Sequence, residues 1–148
     1  MKLKIIKTVT ILISFIIFII SLNNNAVTID YQGIKTIPSV EYFLIGSIAF
    51  LGGGILEEVV WLANPLSLIA IILFLMDNVN SLKFSITALI LAVSFSSWNS
   101  LLGAESGTQA KILSLEFGYY LWILSMLILT IGTYYYFKIE NEEIENFI

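Results

Sequence analysis

"GGGILEEVVWLANP", residues 52–65, is the stretch whose reading decides the fold. Apolar runs flank it on both sides, yet it holds three glycines, the adjacent carboxylates Glu57 and Glu58, Trp61 and an Asn-Pro pair. Asn is a good helix N-cap, and Pro is favoured at the first helical position because its missing N–H is not needed there. The pair Asn64-Pro65 therefore predicts a turn at Ala63-Asn64 and a new helix starting at Pro65. One helix is expected to end here at about Leu62 and another to run to about Met76.

Working outward, the rest of the chain reads as membrane. Of its 148 residues, 58% are hydrophobic and 12% charged, and mean hydropathy is +0.94. Soluble domains carry about 25% charged residues, so a water-soluble fold of this size would leave too much apolar surface wet. Lipid is the expected solvent. The predicted fold is an all-α polytopic bundle forming a single transmembrane domain over 1–148. Its five hydrophobic helices lie at about 5–22, 40–62, 65–76, 84–102 and 113–137. Residues 23–39 and 103–111 read as polar loops, with Ser39 as an N-cap, and 138–148 as an acidic tail. The first apolar run is long for a signal sequence and no Ala-x-Ala-like site follows it, so an uncleaved span with a cytoplasmic N-terminus is expected.

The number of crossings turns on the opening stretch. With five crossings, Lys2, Lys4, Lys7 and Lys111 share one side and Lys35, Lys83 and Lys138 the other. With four, Lys2, Lys4, Lys7, Lys83 and Lys138 face Lys35 and Lys111, a division that the positive-inside rule favours. Length favours five: residues 40–76 as one rod would run roughly 55 Å at 1.5 Å per residue, against a hydrocarbon core of about 30 Å.

Composition also excludes chemistry. The chain has no cysteine and no histidine. Disulfides, thiol redox chemistry, His/Cys metal or haem sites and His-based catalysis are ruled out. All seven basic residues are lysines, and without the planar arginine fork the expectation for phosphate or nucleic-acid binding is low. The expected cofactor and metal complement is none. Glu57 and Glu58 with Asp77, Glu105 or Glu116 are conceivable ligands, but adjacent acids on a helix point about 100° apart and do not share an ion easily. A Ser-Lys pair joining "SFSSWNS" (94–100) to Lys83 or Lys111 is the one nucleophile pattern available, and polar packing is the simpler reading.

What remains is packing and charge. On a helix, Gly46, Ala49, Gly53 and Glu57 share a face, a groove of small residues leading to an acid. Gly118, Ser125 and Gly132 recur every seven residues as a second seam. Trp61, Tyr119, Trp122 and Tyr135 fall where interface anchors belong. Glu57 and Glu58 are the candidate intramembrane carboxylates, functional if they face the bundle interior and merely interfacial if they sit at a helix end.

"WLANP" (61–65) and "GYYLWILS" (118–125) resemble segments of small multi-pass membrane proteins of bacteria. The resemblance implies a bacterial inner-membrane location and carries no assigned activity. The Ile/Asn/Lys-rich composition fits an AT-rich genome. Two functions are expected from these features. One is a non-enzymatic protein that binds a membrane partner through its small-residue seams, as an accessory subunit or toxin-immunity protein does. The other is a small oligomeric transporter or channel that uses Glu57 or Glu58 as a titrating group.

Overall fold

The computed structural model describes residues 2–103 and 108–145. In chain order the elements are α1 (Lys2–Leu22), β1 (Asn25–Asp30), β2 (Ile34–Pro38) and α2 (Ser39–Ile45). A 3₁₀ segment, Gly46–Gly52, leads to α3 (Ile55–Trp61) and α4 (Ala63–Leu75). Then come α5 (Asn80–Ser94), a short 3₁₀ turn at Phe95–Ser97, β3 (Ser100–Leu102), β4 (Gln109–Leu115) and α6 (Phe117–Glu145).

Among the described residues, four helical stretches are long and apolar enough to cross a membrane: Leu3–Leu22, Ile55–Leu75, Asn80–Ser97 and Phe117–Glu143. Their outward faces are apolar, as lipid contact requires; Phe15, Ile16, Leu68, Ile90 and Ile131 are all exposed. Inside, α1 packs along α6, α4 against α5, and α5 against α6. Small residues permit the close approaches. Gly132 leaves room for Thr10, whose atoms would lie 2.2 Å from any added Cβ. One turn deeper into the same seam, Ser14 donates from its hydroxyl to the Ser125 carbonyl at 2.8 Å. With no hydrophobic force between helices in lipid, such contacts carry association.

The chain breaks at a different place from the one its Asn-Pro pair predicts. α3 and α4 join through Leu62, whose backbone stays right-handed (φ −56°, ψ −17°). Pro65 has no N–H to give the Trp61 carbonyl, and the Asn64 side-chain amide supplies the missing donor at 3.1 Å. The Asn-Pro pair thus continues a helix instead of starting one, correcting the expected turn and cap. The true break is at Gly52–Gly54. Gly53 sits at φ +89°, a left-handed conformation that costs glycine little. Residues 39–61 therefore form a helical hairpin: the Trp61 indole donates to the Phe43 carbonyl across its arms at 2.9 Å.

The all-α expectation is also corrected. Four strands form an antiparallel sheet in the order β2-β1-β4-β3. The segments read as polar loops, together with the ends of the expected helices at 84–102 and 113–137, supply these strands. Alternation explains β1: Val27 and Ile29 are buried, while Thr28 and Asp30 face out. Gln32 and Gly33, both at positive φ, close the β1–β2 hairpin. A second hairpin, β3–β4, joins the first by pairing Val27 with Leu115 and Asp30 with Lys111. The sheet thus ties the α1–α2 connection to the α5–α6 connection and caps one end of the bundle. The N-terminus of α1, the α4–α5 turn and the end of α6 lie at the other.

Candidate functional site

Each end of the bundle carries a cluster of charge. At the end away from the sheet, the Lys7 ammonium and the Tyr136 hydroxyl both donate to Asp77 Oδ1. Asp77 holds a positive φ at the α4–α5 turn (φ 57°). The two donors keep its carboxyl below the usual carboxylate range, Lys7 contributing most. Lys7 also lies 4.9 Å from the Tyr136 ring centroid, over a core of Phe74, Leu129 and Phe137. Cation, anion and phenol are all matched within the chain.

The sheet end differs. A cavity of about 450 Å³ lies between the sheet and the 39–61 hairpin. Val27, Leu101 and Leu102 line it from the sheet. Tyr42, Gly46, Ala49, Glu57 and Trp61 line it from the hairpin, and Phe95, Tyr119 and Trp122 from α5 and α6. Its rim includes Ile48 and Leu51, 53% and 72% exposed. Glu57 is the single charged side chain among the described lining residues. It sits in the first turn of α3, where a carboxylate suits the helix dipole, and its Oε1 accepts from the Leu102 backbone N–H at 2.8 Å. That bond fastens the hairpin to the edge of the sheet.

Ser39 and Tyr42 bring buried hydroxyls to the lining. Ser39 is 8% exposed and its Oγ has no hydrogen-bond partner among the described residues; the Tyr42 hydroxyl is buried and likewise unpartnered. Ser39 was expected to cap its helix, but Pro38 takes the cap position and Ser39 is the first residue inside. Burial pushes the Tyr42 phenol well above its ordinary range, with the charges of Glu41 and Glu57 adding to the effect, so the hydroxyl keeps its proton. Asn64 completes the floor: its Oδ1 accepts from the Trp122 indole at 2.9 Å.

The remaining sequence candidates fall as follows. Glu58 is not among the cavity residues, and its Oε2 is buried without a partner. Gly46 packs directly under the Trp61 ring, and Gly118 lies against Ser39 and the Asn25 carbonyl. Gly46, Gly118 and Gly132 are thus covered by this chain's own atoms, whereas Ala49 lines the cavity and Gly53, at the helix break, meets nothing within 4 Å. Tyr119 turns inward, 3% exposed, and donates to the Ala92 carbonyl at 2.9 Å. Like Trp122 it serves the bundle interior, while Tyr135 faces out. Glu116 ties the sheet to the start of α6: it accepts from Thr28 and Ser114 at 2.8 and 2.5 Å, which lowers its pKa, Ser114 contributing most. Among the described residues no three Asp/Glu side chains gather as a metal site. Glu105 and the end of the acidic tail lie outside the described residues.

Sequence reasoning singled out Glu57, Gly46, Ala49 and Asn64 but missed Tyr42 and Leu102 as their partners. The alternation in "NAVTID" and "QAKILSL" was the signal that would have placed a sheet over Glu57.

The fold and site together define a class: a helical protein with four helices of membrane-spanning length, capped at one end by a small sheet over a ligand-sized cavity. No family model, curated protein or solved structure matches the chain.

Proposed function

We propose that this chain is a non-enzymatic integral membrane protein whose work is binding, and that its binding site is the cavity beneath the sheet. The observation that carries the reading is the cavity itself: about 450 Å³, walled by aromatic and aliphatic side chains, with unpartnered hydroxyls at Ser39 and Tyr42. Apolar pockets of a few hundred Å³ with a few convergent polar groups are the usual form of small-molecule sites. Trp61, Ser39 and Thr10 cover Gly46, Gly118 and Gly132, where a partner helix would have come close, so a small amphiphilic occupant of the cavity fits better than a polypeptide. An accessory or immunity role would then rest on the cavity and not on the seams. A transport role is the second reading, favoured by one observation: Glu57, not Glu58, faces the cavity.

In the membrane we place the sheet outside and the start of α1 and the end of α6 in the cytoplasm. Lys2, Lys4, Lys7, Lys83 and Lys138 belong to the end away from the sheet, and Lys35 and Lys111 to the strands, as the positive-inside rule prefers. The bacterial inner membrane is the proposed location.

A photoreactive residue at Ile48, on the cavity rim, tests the binding reading. It should give small-molecule mass adducts on the intact chain that differ from those captured at Ile13, on the outward face of α1. Identical adducts at both positions, or adducts to polypeptide alone, would count against it.

A further inference from the structure

We propose that the sheet-end cavity selects lipophilic cations: an apolar body with a positive amine, ammonium or phosphonium centre. The inference rests on the binding reading above and names the class of its occupant. Three observations converge. Among the described residues, Glu57 contributes the single charge in the lining, and its Oε1 accepts from the Leu102 N–H. Among the described residues no lysine lines the cavity to neutralise it. The other end of the bundle shows how this chain treats an acid it keeps for itself: Asp77 has its own lysine and its own tyrosine.

The walls suit a cation as well. Tyr42, Trp61, Phe95, Tyr119 and Trp122 surround the space, and the faces of such rings attract positive charge, Trp most strongly. The unpartnered hydroxyls of Ser39 and Tyr42 present oxygen lone pairs to a charged head. An anionic occupant, such as a fatty acid or a phosphate-bearing head, would meet the Glu57 carboxylate with no compensating base. Burying an ion in a low-dielectric space requires a counter-charge. The cavity provides one for a cation and none for an anion.

Tetraphenylphosphonium and tetraphenylborate separate charge from shape, being ions of nearly the same form and opposite sign. Each would be titrated calorimetrically into the full chain in zwitterionic nanodiscs, with empty nanodiscs subtracted. Emission from Trp61 and Trp122 would report occupancy in a Trp98→Phe background. The phosphonium should bind at least tenfold more tightly than the borate. Glu57→Gln should abolish that preference while the protein stays folded, because the amide oxygen still accepts from Leu102. Equal affinity for both ions, or a preference that survives Glu57→Gln, overturns the cation proposal and leaves the binding site standing. Binding of neither ion, with Ile48 adducts no different from those at Ile13, overturns both. If Glu57→Gln fails to fold, Tyr42→Leu serves in its place. Removal of a ring and hydroxyl from the wall should weaken phosphonium binding severalfold; unchanged affinity for the phosphonium would contradict the proposal.

Discussion

The two ends of the bundle answer the same physical problem in opposite ways. Both place a carboxylate beside apolar, aromatic-rich surroundings. Away from the sheet, Asp77 takes the Lys7 ammonium and the Tyr136 hydroxyl, over a packed core of Phe74, Leu129 and Phe137. Beneath the sheet, Glu57 takes one backbone N–H, and empty volume lies beside it. The first arrangement closes the bundle by joining α1, the α4–α5 turn and α6. The second holds an acid in a hollow. A charge satisfied by its own chain is architecture, and a charge facing a hollow is available to something else.

That contrast predicts different costs. The largest belongs to the helix contact between the two ends. Gly132→Leu forces a branched side chain into Thr10 and should destabilise the α1–α6 pairing by about 1–3 kcal/mol or more, the usual range for overpacking. Unfolding in mixed micelles, followed by near-ultraviolet circular dichroism, would measure it. Next comes Asp77→Ala, which removes two charge-assisted hydrogen bonds. Because Asp77 is half exposed, about 1–2 kcal/mol is expected instead of the full value for buried pairs. The sign of the pH effect follows from its lowered pKa. The stabilisation is present above the ordinary carboxylate value of about 3.8 and is lost as pH falls through the lowered one. Asp77→Asn should remove that part of the acid sensitivity. The Glu116 share, of the same sign, should persist in Asp77→Asn and vanish in Glu116→Gln.

The asymmetry between the ends also governs how much was legible in the sequence. Helices crossing a bilayer need about 20 apolar residues in a row, so the spans announce themselves. The opening stretch carried two competing stop signals, and the chain uses only one. Gly53 breaks the helix because its positive φ is available to glycine. Asn64-Pro65 does not, because the Asn64 amide replaces the hydrogen bond that Pro65 cannot make. No local rule weighs these against each other. The sheet was hidden for another reason. Its strands are short and polar on one face, and its central pairing joins Val27 to Leu115, far apart in sequence. Glu57 was therefore visible as an acid, but its setting was not. Tyr42, Ser39 and Leu102 reach the cavity only through that long-range pairing.

A smaller effect probes the floor between the two ends. Asn64→Ala removes both the acceptor for the Trp122 indole and the donor for the Trp61 carbonyl. A loss of about 1–2 kcal/mol is expected, near the worth of two neutral hydrogen bonds, with a shift in Trp122 emission as its signature. A larger loss would mean that the Asn-Pro site is a true weak point of the 55–75 span.

The smallest stability effect is predicted at the residue with the largest functional one. Glu57→Gln keeps an acceptor for the Leu102 N–H and removes only the charge. If the sheet end is built around an unmatched acid, folding should change by no more than about 0.5 kcal/mol, as substitutions outside packed or paired sites do. A stabilisation would sharpen the contrast, since it would mean that the chain tolerates an acid it would fold better without. A loss near that of Asp77→Ala would break it: the charge of Glu57 would then be needed for the fastening of hairpin to sheet, making it the counterpart of Asp77, and the hollow beside it a by-product of packing. Unfolding of Glu57→Gln and Asp77→Ala in the same mixed micelles at neutral pH decides between them, because fold, lipid and readout are shared and only the end of the bundle differs.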